Sequence, residues 1–366
     1  MKVSRRVRNN IALLMMISAI AGLAAGWFTY TSERDRIMGE AFSLLALYHD
    51  LRKATLEDYM RSKASDVKAT GRNERVIEAL TKLELSWARI GGNASAFTRR
   101  LYITENPFPI GERRNLRSAS DGSEYTDVHQ QVHDWARRFL EHFGYYDLFL
   151  IDRHGNILYT VEKEDDFATN LADGPYANGP LGFVFKRALK SGASRVVFSD
   201  YEFYPPSNNA PALFAGTPVF GPDGKAAGVF AVQLPAEPIN AILRFSAGMG
   251  RTGETYVVGN DLTMRSQSRF SDESTVLKTK VDTPSVVEGL GGFEGAQVIA
   301  DYRGVPVLSS YSPLDFGGPP WVMLAEMDRA EVLERLRVWP AVIVGMLAML
   351  LSALLGHIAF SFFQRS

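Results

Sequence analysis

The stretch Ser199-Asp200-Tyr201-Glu202-Phe203-Tyr204-Pro205-Pro206-Ser207-Asn208 has the residue types best suited to ligand chemistry. Aromatic walls, a carboxylate and short polar side chains are what a small polar molecule needs in a largely apolar cleft. Ser199, Asp200, Tyr201, Tyr204, Ser207 and Asn208 are the candidate contacts, and Tyr176, across an irregular helix-prone segment, is the candidate lid. The same residues also suit a twisted edge strand whose tyrosines pack on their neighbours. Loops beside a rigid sheet commonly carry binding, which favours the pocket.

Other constellations are thinner. His129 and His133 sit four apart and could offer two rings to one metal from a helix face. Spacing fixes no third ligand, with Glu124, Asp127, His142 and His154 merely nearby, so no metal is expected. Arg113, Arg114 and Arg117 could grip an anion or form a solvated basic loop. The absence of cysteine excludes disulfides, thiolate metal sites and cysteine nucleophiles. No GxSxG, HExxH, P-loop or Rossmann fingerprint occurs. Gly248-Met249-Gly250-Arg251-Thr252-Gly253 precedes a strand instead of bridging strand to helix, so it lacks the setting of a phosphate loop. Neither a cofactor nor a catalytic group is expected: the sequence reads as a binding protein, not an enzyme.

The elements that must position these residues start from one hairpin. Tyr145 to Tyr159 reads as strand, tight turn at Gly155-Asn156, and strand. Its echo is Glu254-Thr255-Tyr256-Val257-Val258-Gly259, a turn at Asn260-Asp261, and Leu262 to Ser266. Strands at 195–201, 212–220 and 227–234 complete five in the first module, antiparallel because the turns are short. Strands at 296–302, 305–311 and 321–326 complete the second. Before them, no proline occurs between Met1 and Pro107, which favours long helices. Ile37, Ala41, Leu44, Tyr48 and Leu51 form an apolar stripe on a helix continuing from the first apolar segment. That stripe suits packing on its own domain, dimerisation, or both. A second stripe, Val76-Ile77-Leu80-Leu83, stops at Gly91-Gly92, and a further helix runs from about Tyr125 to Phe143. Asp328 with Glu331 reads as a capping box for a helix over 329–337 that feeds the last apolar segment.

Two apolar segments bracket the chain. Ile11 to Tyr30 is uncharged and long enough for a hydrocarbon core of about 30 Å. Small residues at 21–26 imitate a cleavage site, but the length favours an uncleaved anchor. Val338 to Phe363 is the second, with Trp339-Pro340 at its entrance. Lys2, Arg5, Arg6 and Arg8 at one end and Arg365 at the other place both termini in the cytoplasm. The bulk of the chain then lies outside, in the periplasm or extracellular space of a bacterial cell. The formal charge of -1 gives no general pull toward nucleic acid.

Tyr145 to Asp152, Asp166-Phe167-Ala168-Thr169-Asn170-Leu171 and Tyr204 to Ala212 resemble the membrane-distal half of double Cache sensor domains. Gly253 to Gly259 with Met264-Arg265-Ser266-Gln267-Ser268-Arg269 is similar to their membrane-proximal half. The resemblance covers about Phe42 to Asp328 and both apolar segments, and it specifies the fold more than the output. Such sensors front chemotaxis receptors, histidine kinases and nucleotide cyclases. Amino-acid-binding members carry Arg-x-Trp-Tyr before the third strand and an aspartate ending the fifth. The 174–182 segment here has neither arginine nor tryptophan, and Gln233 stands where that aspartate falls. Gln233 joins the candidate ligand contacts, and α-amino-acid specificity is not carried over.

The expected fold is α+β: a long N-terminal helix and two tandem PAS-like antiparallel sheet modules between two membrane helices. Its segments are a cytoplasmic N-terminus (1–10), a first span (11–31) and a helical stalk with the distal module's helices (32–143). The distal module (144–245), the proximal module (246–328), a connecting helix (329–337), a second span (338–363) and a cytoplasmic tail (364–366) follow. The resemblance implies a chemoreceptor-like small-molecule sensor in the bacterial inner membrane, homodimeric through the N-terminal helix and coupled to a cytoplasmic or membrane signalling partner. The short tail after the second span also admits a membrane-anchored solute-binding or scaffolding protein without its own output. The sensor portion of a histidine kinase or cyclase is a further alternative.

Overall fold

The computed structural model describes residues 5–192, 195–244 and 247–365. Lys2 of the basic cluster, the junction at residues 245 and 246 and the terminal Ser366 lie outside them.

Helix α1 (Arg5–Gly71) is one uninterrupted rod. It is followed by α2 (Glu74–Ile90), whose Asn73 side chain accepts from the Arg75 amide at 2.9 Å. Gly91 ends α2 with φ 83°, a conformation that favours glycine. Helix α3 (Ala94–Arg99) runs into one π-helical turn at Arg100–Thr104. A loop then leads to α4 (Glu124–Phe143), capped by Ser123 on the Thr126 amide and stopped by left-handed Gly144.

The distal sheet contains β1 (Asp147–Asp152), β2 (Ile157–Thr160), β3 (Val197–Phe198), β4 (Glu202–Tyr204), β5 (Ala210–Phe220) and β6 (Ala226–Leu234). Its order is β2-β1-β6-β5-β3, with β4 pairing on the start of β5, and every pair is antiparallel. Helix α5 (Pro180–Lys190) covers one face, where a Cβ at Gly216 would meet Val184. Helix α2 covers the other, where a Cβ at Gly228 would meet Leu80. Leu148, Phe149, Leu150, Phe214 and Phe230 between these layers are wholly buried. Each such side chain contributes about 1.5–3 kcal/mol.

Helix α6 (Glu237–Arg244) leads to the proximal sheet, formed by β7 (Glu254–Gly259), β8 (Gly295–Ala300), β9 (Pro306–Leu314) and β10 (Trp321–Asp328) in the order β7-β10-β9-β8. Helix α7 (Pro284–Leu290) packs on one face through Gly289 and Val322. The other face rests on α1, whose Ile37 and Leu45 join Leu308, Ala325 and Met327 in one cluster. Ala41 and Tyr48 pack against that cluster, whereas Leu51 is exposed. The stripe on α1 therefore serves mainly its own chain.

Helix α9 (Trp339–Arg365) returns alongside α1. Both contain stretches long and apolar enough to cross a membrane. A Cβ at Gly22 would lie 2.7 Å from the Gly345 oxygen, and one at Gly26 would lie 3.1 Å from the Ala341 oxygen. Small residues let the two backbones touch.

Several expectations are corrected. The expected 195–201 strand shrinks to β3, while β4 adds a strand the sequence did not signal. The second arm of the echo hairpin is no strand: Leu262 has φ 64°, Asp261 accepts from the Thr263 amide, and only isolated bridges such as Val258 to Met264 form. The connecting helix over 329–337 is cut to α8 (Arg329–Leu333) and separated from α9 by residues 334–338. The capping box does not form either. Asp328 accepts from Arg303 at 2.7 Å, and Glu331 reaches back to the amides of Arg251 and Thr252, each at 2.8 Å.

Candidate functional site

Tyr204, Ser207, Gln233 and Tyr176 meet on the α5 side of the distal sheet. The hydroxyls of Tyr204 and Ser207 turn onto Asp166 and Glu164, members of a charged run leaving β2 in which Glu162, Lys163, Glu164 and Asp166 are all buried. Tyr204 donates to Asp166 Oδ2 at 2.7 Å, and Asp166 Oδ1 has no partner. Ser207 donates to Glu164 Oε2 at 2.6 Å, while Tyr146 donates to Glu164 Oε1 at 2.7 Å. Gln233 Nε2 donates to Ser207 Oγ at 3.3 Å. The Tyr176 ring lies 6.0 Å from that of Tyr204, and Phe214 backs Tyr204 at 5.0 Å.

Sheet register sets this geometry. Asp147 opens β1 directly opposite Gln233 of β6, and Phe214 of β5 faces Gln233 on its other side. Asp147 accepts from the amides of Leu148 at 2.7 Å and Val161 at 2.9 Å, and also from the Thr160 hydroxyl. These bonds pin the chain leaving β2 over the sheet. Lys163 then adopts φ 55° and turns its ammonium inward, 3.3 Å from His133 Nδ1 and 3.2 Å from the Val161 carbonyl.

The electrostatics are those of charges withdrawn from water. Burial pushes Asp166 up to about 7, against the favourable bond from Tyr204. Burial, then repulsion from Glu162, raises Asp147 well above the carboxylate range. Burial lowers Lys163 to about 7, with Asp147 and Glu162 opposing that fall. Burial, reinforced by Lys163, depresses His133 to about 3. His133 is thus a neutral ring, bonded to Tyr159 at 2.7 Å and the Arg114 carbonyl at 2.8 Å. Its stacked neighbour His129 also faces protein, and among the described residues no group of three histidine or carboxylate side chains is arranged to hold a metal.

The remaining candidates lie elsewhere. Asp200 accepts from Arg265 at 2.8 and 2.9 Å and from Trp321 Nε1 at 2.8 Å, so it braces the proximal module. Tyr201 stacks on Trp321 with ring centres 5.9 Å apart and planes 5° apart. Ser199 bonds the Phe214 amide at 3.0 Å and ties β3 to β5, which is a scaffold role. Asn208 is exposed at φ 54° and forms a turn. The three arginines of the basic loop are engaged as well: Arg113 with Asp165, Arg114 with Glu162 and Arg117 with Asp134.

Sequence reasoning did not single out Tyr146, Asp147, Glu162, Lys163 or Glu164 around this candidate cluster, and placed Asp166 only in a motif. The available signal was Glu162-Lys163-Glu164-Asp165-Asp166 set directly between the strand ending at Thr160 and Phe167.

No family model matches the chain, and no curated protein matches it. Among solved structures it is similar to the ligand-binding domain of the Pseudomonas fluorescens chemoreceptor CtaA in complex with L-isoleucine. Identity there is 12%, covering 82% of this chain and 98% of that one, with a TM-score of 0.45. It is also similar to the extracellular domain of the putative histidine kinase vpHK1S-Z8, at 10% identity over 83% and 96% of the chains and a TM-score of 0.46. The ligand-binding domain of the Pseudomonas aeruginosa PAO1 chemoreceptor PctC, in complex with GABA, has 17% identity over 67% and 96% and a TM-score of 0.37.

Proposed function

We propose that this chain is the extracytoplasmic sensor of a transmembrane signalling receptor, chemoreceptor-like in plan, taking a small polar ligand in its distal module. Asp166 carries the proposal. It is wholly buried, held by Tyr204 on one oxygen, and its other oxygen has no partner. A buried polar atom left unbonded costs about 1–3 kcal/mol. A ligand N–H or O–H donor recovers that cost, with Tyr176 and Tyr204 as aromatic walls and Ser207 and Gln233 as adaptable partners. The ligand class is therefore donor-bearing.

The route to the membrane runs through Asp200. Its bonds to Arg265 and Trp321 join the β3–β4 connection to the first residue of β10, which leads through α8 to α9. Helix α1 passes both modules on its way to the same span pair. A ligand that prefers one of two pre-existing arrangements needs a coupling of only about 1–3 kcal/mol. Both termini are assigned to the cytoplasm of a bacterial cell by the basic residues at each end. A second copy would pair on the outer face of α1, where Leu47 and Leu51 are exposed. A cytoplasmic or membrane signalling partner completes the proposal, and nucleic acid has no part in it.

Paired cysteines test transmission cleanly because the chain has none of its own. A Cβ at Gly356 lies 3.5 Å from Leu14 Cγ, so Leu14→Cys with Gly356→Cys reports on the span contact. Crosslinking whose rate changes when a ligand binds supports the proposal. An unchanged rate with ligand bound contradicts transmission through the spans.

A further inference from the structure

The proximal sheet carries a second buried polar row. Glu254 of β7, Glu326 of β10 and Ser309 of β9 are register partners across three adjacent strands. Their exposures are 4%, 2% and 0%. They lie on the sheet face away from α1, shared with Tyr256 and Leu324.

This row is the counterpart of the distal one. Asp147 and Glu254 each open the first strand of a module, and each faces a polar residue of the neighbouring strand: Gln233 in one case, Glu326 in the other. Each also takes a hydroxyl and an amide from the chain that follows. Asp147 is bonded by Thr160 and Val161, and Glu254 by Ser268 at 2.6 Å and the Arg269 amide at 2.8 Å. The proximal module thus repeats the placement of the distal site with a second carboxylate in place of an amide.

That carboxylate is incompletely satisfied. Tyr256 donates to Glu326 Oε2 at 2.8 Å, but Glu326 Oε1 has no partner. Burial pushes the Glu326 carboxyl up to about 7, against the opposing influence of Tyr256 and of Ser309 beside it; Ser309 Oγ itself makes no hydrogen bond. Glu254 Oε2 is taken by Tyr302 at 2.8 Å. Among the described residues no lysine or arginine side chain forms an ion pair with either glutamate. Two guanidinium groups of the same module are committed elsewhere, Arg303 to Asp301 and Asp328, and Arg269 to the Gly253 carbonyl. Two buried carboxyls facing each other, with no cation between them and two unbonded oxygens on the same row, form a receptor for a positive group with several N–H donors.

We propose that the proximal module holds a second ligand site, selective for a small protonated amine seated on Glu326 and Ser309 beside Glu254. An ammonium supplies three donors, which suits Glu326 Oε1 and Ser309 Oγ with one to spare. This site is independent of the distal one and lies on the strand that leads into α8.

The test uses the purified full chain in detergent, titrated by calorimetry with ethanolammonium chloride, and with ethylene glycol as a neutral probe of similar size. The expected result is saturable binding of ethanolammonium at millimolar concentration or below, with ethylene glycol silent. Glu326→Gln should weaken it about tenfold or more. Asp166→Asn in the distal module should leave this affinity within about twofold. Ser309→Ala touches neither carboxylate and, if Glu326→Gln does not fold, carries the test with an expected loss of roughly threefold to tenfold. No saturable binding, equal binding of the neutral probe, or binding lost in Asp166→Asn and kept in Glu326→Gln would each overturn the proposal.

Discussion

Arg265 of the proximal module clasps Asp200 of the distal module with Nε and Nη2 at 2.8 and 2.9 Å from its two oxygens. The guanidinium is almost fully buried, at 3% side-chain exposure, against 24% for Asp200. Asp261 lies 2.9 Å from the same guanidinium, and Trp321 adds an indole N–H to Asp200. The junction between modules is therefore a shared ion pair walled by Tyr201, Phe198, Phe316 and Trp321 rings.

Removing one partner of such a pair leaves the other buried and uncompensated. Arg265→Ala should destabilise the chain by about 3 kcal/mol, read as a lower unfolding midpoint. Arg265→Lys should recover only part of that loss, because an ammonium cannot reproduce the two-pronged grip. A fully rescuing lysine would show that charge alone, without geometry, joins the modules.

Asp166 makes stability depend on pH with a fixed sign. It titrates near 7 in the fold against an ordinary 3.8. Its stabilising contribution is fully present below the lower value and is lost as pH rises through the upper one. Asp166→Asn keeps the shape and removes the charge. The variant should be more stable than the parent by a few kcal/mol at about pH 8, with the gain vanishing below about pH 4. Lys163 acts in the opposite sense: its contribution is present above an ordinary 10.5 and is lost as pH falls through about 7. Lys163 is common to parent and variant, so their difference isolates Asp166. Denaturation midpoints across this range provide the check, and a pH-independent difference would contradict the assignment.

The contact between α1 and α9 should depend on its glycines. A Cβ at Gly345 would lie 2.9 Å from the Gly22 oxygen, inside contact distance. Gly345→Leu should part α1 from α9 and lower crosslinking of the Leu14→Cys, Gly356→Cys pair several-fold, while Gly39→Leu, whose added Cβ meets nothing within 4 Å, should leave it intact.

Local signals in the sequence carried the helices and most strands. Asn73, Ser123, Gly91 and Gly144 mark helix ends through side-chain bonds and positive φ that depend only on near neighbours. The two apolar segments announce themselves by length. The candidate cluster was legible only in part. Tyr176, Tyr204, Ser207 and Gln233 do converge, but Asp200 and Tyr201 serve the module junction because Arg265 and Trp321 lie 65 and 121 residues further on. A five-residue charged run ordinarily faces water; Glu162, Lys163, Glu164 and Asp166 are buried because Asp147 ties the chain after β2 down over the sheet. The capping box failed for a similar reason: Glu331 found better donors in the Arg251 and Thr252 amides, a partnership visible only in three dimensions.

The distal cluster around Asp166 and Tyr204 is the proposed ligand site. Thermal-shift screening of the full chain against amino acids, organic acids, amines and purines tests it most directly, repeated with Tyr204→Ala and Asp166→Asn. At least one donor-bearing compound should stabilise the parent chain, with its shift abolished in both variants and retained in Glu326→Gln. If every stabilising compound acted equally on the parent, Tyr204→Ala and Asp166→Asn chains, the distal assignment would be wrong.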